Sequence, residues 1–118
     1  MNPEVVVRAH LESWPSLDLD RITEHLADDA TFFPGFGFPT YSGIEQIRTA
    51  LDGFLKVLTQ CEVEIINLAV VGDVVLTERV DHMIYKGKQL DAAGMGAFEV
   101  SGDEITAWRD YFYAGDHD

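Results

Sequence analysis

Residues 105–113, Ile-Thr-Ala-Trp-Arg-Asp-Tyr-Phe-Tyr, constrain the fold more than any other stretch of the chain. They are dense in aromatic and β-branched side chains and read as a β-strand. Alternate side chains of a strand share a face. Trp108, Asp110 and Phe112 therefore point one way, and Ala107, Arg109, Tyr111 and Tyr113 the other. A carboxylate set between two large apolar side chains is costly to bury unless it is paired. An earlier strand, residues 76–85, offers the partner, because Arg79 and Asp81 share a face there with Thr77 and Met83. The expectation is that Asp110, Arg79 and Asp81 meet inside one pocket.

The rest of the chain must build that pocket. With 118 residues, 47% of them hydrophobic, the simplest organisation is one domain spanning 1–118 with one deep pocket. The formal net charge of −13 opposes binding to nucleic acid or to an anionic membrane. Cys61 is the only cysteine, so no intramolecular disulfide forms, and its place in an apolar strand suits a small buried hydrophobe. The N-terminus lacks the pattern of a signal peptide. No apolar run approaches the ~20 residues that a membrane helix needs. A cytoplasmic location is expected.

Taken in order, Asn2-Pro3-Glu4 is a helix start: a capping residue, a proline at the first position and an acid in the first turn. That helix is expected to run to about Trp14, where Pro15 ends it. Leu19, Ile22, Thr23 and Leu26 mark a second short helix ending near Ala27, and residues 30–33 a short strand. Residues 34–39, Pro-Gly-Phe-Gly-Phe-Pro, form a loop whose phenylalanines fold back over the core or a pocket mouth. Ser42 and Glu45 have capping-box spacing before a third helix carrying Ile44, Ile47, Leu51, Phe54, Leu55 and Leu58 on its apolar face. Strands follow over 62–71, 74–85, 89–100 and 105–113, with Gly94 and Gly96 marking a bulge, a bend or a close backbone approach. Residues 114–118 read as a frayed polar tail. Helices first and hairpin-linked strands after give an α+β fold with a mainly antiparallel sheet.

Within that frame Arg79 can bridge both carboxylates with its planar fork, leaving one acid ionised as a base and the other protonated as an acid. The plainer reading is a structural ion pair on a solvated sheet face, and spacing alone weighs the two equally. Trp14, Phe54, Met83, Met95, Phe98, Trp108 and Phe112 are candidates for the pocket wall. His10, His25, His82 and His117 show no metal-ligand spacing and read as surface or satisfied residues, with His82 a candidate for a subunit interface.

Thr77-Glu78-Arg79-Val80-Asp81 and residues 105–112 resemble the two signature strands of the limonene-1,2-epoxide hydrolase family. Gly96-Ala97-Phe98 and the turn at residues 102–106 fit the same pattern. The resemblance implies the cone-shaped α+β fold of nuclear-transport-factor-2-like (NTF2-like) and SnoaL-like proteins. It implies that Asp110 activates a water, Asp81 protonates the epoxide oxygen and Arg79 bridges them, in one step without metal or cofactor. Concerted push on carbon and proton on oxygen is what a strained epoxide needs. The family's water-holding Tyr and Asn fall at about Phe32 and Pro34 here, and neither side chain can bind water.

The reading is thus a cofactor-free enzyme acting on a hydrophobic small molecule. Asp110, Asp81 and Arg79 would be catalytic, and Trp108, Phe32, Pro34, Met83, Phe98 and Phe112 would be substrate-binding. Two alternatives keep the fold: proton transfer as in a polyketide cyclase or ketosteroid isomerase, and a non-catalytic module that binds an apolar ligand. Val80, Ile84 and Tyr111 face away from the pocket and would be buried in a homodimer formed through the sheet.

Overall fold

The structure is a computed structural model, and residues 2–113 are described. The proposed tail, residues 114–118, lies outside them. Helix α1 (Pro3–Glu12) starts where the sequence places it, with Asn2 accepting a hydrogen bond from the Val5 N–H at 2.9 Å. A 3-10 turn (Trp14–Ser16) and a short helix α2 (Leu19–Thr23), capped by Asp18, follow. Strand β1 (Leu26–Phe33) begins four residues earlier than its apolar pattern suggests. Exposed Asp28 and Asp29 interrupt that pattern, while parallel pairing with the closing strand holds the backbone extended.

The third helix, α3 (Ile44–Leu55), is capped differently from the expectation. Ser42 belongs to a two-residue strand, β2 (Tyr41–Ser42), paired with β1. The N-cap is Gly43 at φ 88°, a conformation that glycine adopts without cost. Its N–H is held by the Ala30 carbonyl at 2.8 Å. Gln46 Oε1, rather than Glu45, reaches back to the Ser42 N–H at 2.9 Å. The helix ends at Leu55, and Leu58 already opens strand β3 (Leu58–Val71).

Strands β4 (Val74–Tyr85), β5 (Lys88–Ser101) and β6 (Glu104–Phe112) complete a six-stranded sheet of order β2-β1-β6-β5-β4-β3. All neighbours are antiparallel except β1 and β6. The helices cover one face, as the α+β reading requires. Val6, Val7, Leu11, Ile22, Ile47, Leu51, Val75, Phe98, Ile105 and Trp108 form the core between helices and sheet.

Irregular pairing interrupts the strict alternation of faces along β3. The register shifts between Ile65 and Asn67, so one residue is inserted. Val63 and Ile65 pack inward as their alternation predicts, but beyond the shift Leu68 turns inward. Asn67 turns outward and bonds Glu78 at 2.8 Å.

Candidate active site

On β4, Thr77, Arg79, Asp81, Met83 and Tyr85 line the helix-facing side, and on β6 Trp108, Asp110 and Phe112 do so. Strand β5 separates them, pairing Thr77 with Gly96 and Gly96 with Asp110. Because Gly96 has no side chain, the Arg79 guanidinium can cross β5 and reach Asp110. A Cβ built on Gly96 would collide with Arg79 Nη1 and sit 3.0 Å from Asp110 Oδ1. Gly94 permits a similar approach, since a Cβ there would stand 2.7 Å from the Phe112 Cα. The sequence expectation of close backbone approach at these glycines holds.

Arg79 and Asp110 are buried, at 2% and 3% exposure. Arg79 Nη2 donates to Asp110 Oδ1 at 2.8 Å, and Nε donates to Asp81 Oδ1 at 3.0 Å, with a longer Nη2 bond of 3.4 Å to Asp81 Oδ2. The guanidinium carbon also lies 5.3 Å from the Phe112 ring centroid, in cation–π range. Arg79 thus bridges the two acids. Burial works against its charge, but Asp110 and then Asp81 more than offset that and hold its pKa above the usual arginine value.

Burial is the largest influence on Asp110 and pushes its carboxyl up from 3.8 to about 6. Arg79 pulls the other way, Asp81 adds a small upward push, and the Trp108 indole N–H draws it slightly down. A carboxylate that gains its proton near pH 6 is a stronger base than an exposed aspartate and is still ionised at neutral pH.

These charged groups sit in a cavity of about 580 Å³ whose walls are almost wholly apolar. Leu11 and Trp14 come from the N-terminal elements, Ala50, Leu51 and Phe54 from α3, and Leu90 and Ala92 from β5. Of the expected substrate-binding residues, Trp108, Phe32, Pro34, Met83 and Phe112 line this cavity. Phe98 does not: it is fully buried behind Trp108, with ring centroids 6.2 Å apart. Met95 is half exposed on the outer face, because it stands an odd number of positions from inward-facing Phe98. In the 34–39 loop, Phe38 reaches the cavity, while Phe36 is fully exposed.

Tyr41, Tyr85 and Cys61 also line the cavity, and sequence patterning did not mark them as wall residues. Burial, reinforced by the Asp81 charge, raises the Cys61 thiol to about 12, which keeps it protonated and inert. His10 is a satisfied core residue: Nδ1 donates to the Ile22 carbonyl at 3.0 Å, and Nε2 faces the Trp14 indole N–H at 3.5 Å. Burial lowers its pKa to about 4, so it stays neutral. His82 lies on the outer face, opposite Asp81 as expected, between Glu64 and Asp91. Bonds to those two carboxylates raise its pKa.

A family model described as the limonene-1,2-epoxide hydrolase catalytic domain matches residues 1–117. The chain belongs to the limonene-1,2-epoxide hydrolase family. It is 33% identical over 106 residues to epoxide hydrolase EphG of Mycobacterium tuberculosis, covering 90% of this chain and 70% of that protein. Among solved structures, an LEH-like epoxide hydrolase from M. tuberculosis superposes with a TM-score of 0.83 at 32% identity, covering 97% of this chain and 84% of the other. A ketosteroid-isomerase-like protein from Catenulispora acidiphila, solved with trimethylamine, superposes at 0.82 with 25% identity, covering 97% and 88%. The fold is the NTF2-like one that SnoaL-like proteins share.

Among the described residues no helix is long and apolar enough to cross a membrane. Nor do three or more His, Cys, Asp or Glu side chains among them converge in a way that could hold a metal ion.

Proposed function

We propose that this family member hydrolyses an epoxide on an apolar small molecule, by concerted acid–base chemistry that needs no cofactor. The observation that carries the reading is Asp110, buried at the floor of an apolar cavity and joined through Arg79 to a second acid. Asp110 takes a proton from water as the water oxygen bonds to an epoxide carbon. The carbon–oxygen bond of the ring breaks in the same step, and Asp81 gives its proton to the departing oxygen. The product is a vicinal diol. Asp110 has gained one proton and Asp81 has lost one, so transfer between them resets the site. Arg79 stays charged throughout and fixes the spacing of the acids.

The wall composition supports a substrate without charged groups away from the epoxide, since Arg79 is already engaged by two carboxylates. Asp110→Asn and Asp81→Asn test the assignment. Each is expected to remove turnover of apolar epoxides such as limonene oxide, cyclohexene oxide or styrene oxide while circular dichroism stays native. A folded Asp110→Asn protein with undiminished turnover would reject Asp110 as the base.

A second reading, proton transfer within a ketone as in an isomerase or cyclase, is favoured by one observation. Phe32 and Pro34 bring no hydrogen-bonding side chain to the positions where the family resemblance calls for a water clamp. Solvent deuterium entering a ketone, with no diol formed from any epoxide, would select it.

The outer sheet face supports assembly as a homodimer. Leu76, Met95 and Tyr111 are exposed there, and Val80 and Ile84 stand among them.

A further inference from the structure

Trp108 is placed with unusual care for a wall residue. Its indole stacks on Phe32 at 3.7 Å between centroids, with Phe98 stacked at 6.2 Å and the His10 ring edge-on at 4.7 Å. With the Trp14 ring edge-on at 6.2 Å, four rings fix the indole plane and so the direction of its N–H. Among the described residues, Trp108 Nε1 is the buried side-chain polar atom left without a hydrogen-bond partner. Leaving a buried donor unpaired is costly, and such atoms are rare in folded proteins. The N–H stands beside the Asp110 carboxylate, near enough to lower its pKa slightly as a weak donor, but makes no hydrogen bond of ordinary geometry with it. On that carboxylate, Arg79 occupies Oδ1, and among the described residues no hydrogen bond of ordinary geometry reaches Oδ2.

An N–H donor beside an unoccupied carboxylate oxygen is complementary to one water molecule. We propose that the Trp108 indole N–H holds the attacking water against Asp110, doing here what Phe32 and Pro34 have no groups to do. The proposal rests on the hydrolase reading above. The water gives one O–H to Asp110 Oδ2 and accepts the indole N–H on one lone pair. Its second lone pair bonds to the epoxide carbon. As that bond forms, the proton passes to Asp110, the ring carbon–oxygen bond breaks, and the ring oxygen takes the Asp81 proton. Trp108 neither gains nor loses a proton. Its donor sets the position and angle of attack. Phe32 contributes indirectly, by stacking on the indole and fixing where the N–H points.

The test replaces only the N–H. Site-specific Trp108→benzothienylalanine substitution keeps ring size and stacking while exchanging N–H for sulfur, and Trp108→Phe removes the donor with some loss of ring. The same apolar epoxides serve as probes. In the isostere, kcat is expected to fall about 10- to 100-fold, because a misplaced reactant loses on that scale. KM should stay within about threefold, and the acidic limb of the pH profile should move to higher pH. A role confined to packing would leave kcat and that limb unmoved in the isostere. Near-wild-type kcat there overturns this proposal while leaving the hydrolase reading intact. A folded wild-type protein that hydrolyses none of the epoxides overturns the hydrolase reading, and the water-holding role with it.

A measurement on the unmodified side chain guards against failure of the variants to fold. The Trp108 indole ¹H–¹⁵N resonance, assigned by its absence in Trp108→Phe, is expected to titrate with Asp110 in the wild type. It should stop titrating in Asp110→Asn. An indole resonance indifferent to Asp110 ionisation would also overturn the proposal.

Discussion

Gly96 stands where any side chain would collide with the Arg79 guanidinium, and that empty space is what lets Arg79 cross β5 to Asp110. The site therefore depends on an absent atom as much as on its three charged groups. Gly96→Ala must push Arg79 aside or bend β5. Overpacking of this kind costs about 1–3 kcal/mol. Because Arg79 holds both acids, turnover is expected to fall about 100-fold or more, well beyond what the loss of stability explains. Thermal melting with kinetics on the same preparation checks this, and a fully active Gly96→Ala protein would contradict it.

The acid limb of activity follows from Asp110. A base must be ionised to accept the water's proton, and burial sets this carboxyl at about 6. The kcat/KM profile is expected to rise with pH through about 6. A limb near the ordinary aspartate value of 3.8 would mean that another group is the base.

Stability carries a separate signature of the same carboxyl. Its pKa is about 6 folded against 3.8 unfolded, so the folded state binds the proton more tightly. Acidifying from pH 7 to 4 therefore favours the folded wild type through Asp110, by about 2 kcal/mol. His10 acts oppositely, with a pKa of about 4 folded against 6.5 unfolded, so the stability it contributes is lost as pH falls through that window. In Asp110→Asn the Asp110 contribution is lost while those of His10 and the other titrating groups remain. The variant's stability relative to wild type should drop by about 2 kcal/mol between pH 7 and 4 in denaturant titrations. A pH-independent difference would contradict the assignment.

Assembly is testable at Tyr111, which is 54% exposed and paired across the ladder with Met95 at 52%. Sedimentation of the wild type at micromolar concentration is expected to show a dimer, and Tyr111→Lys to shift it toward the 13.2 kDa monomer. A wild-type protein that is monomeric throughout would reject the sheet-face dimer.

The site was more legible than the elements that frame it, for a physical reason. Period-2 alternation in β4 and β6 directly dictates that Arg79, Asp81 and Asp110 face the helices, and a buried acid demands a cation. The glycines of β5 carried their own signal, because a glycine inside a strand asks what occupies the missing side chain's place. Alternation fails where register breaks, so the inserted residue in β3 exchanged the roles of Asn67 and Leu68. Local chemistry also misleads where tertiary pairing decides. Ser42 has the sequence of a cap but serves as a strand residue beside Thr31. Phe98 and Met95 both suggest a cavity wall, yet one lies beneath it and the other on the far side of the sheet. The orphaned Trp108 N–H left no trace in the sequence, since satisfaction of a donor is a property of assembled neighbours.

Direct attack by water on the epoxide, with Asp110 as base, is tested most sharply by isotope labelling in a single turnover. Protein in excess over an apolar epoxide is reacted in H₂¹⁸O, and both diol and protein are analysed by mass spectrometry. Direct attack predicts one ¹⁸O in every diol formed in the first turnover, with the protein unlabelled. Unlabelled diol from that first turnover, with ¹⁸O appearing in the Asp110 or Asp81 carboxyl, would mean that a carboxylate attacks carbon and would contradict the account.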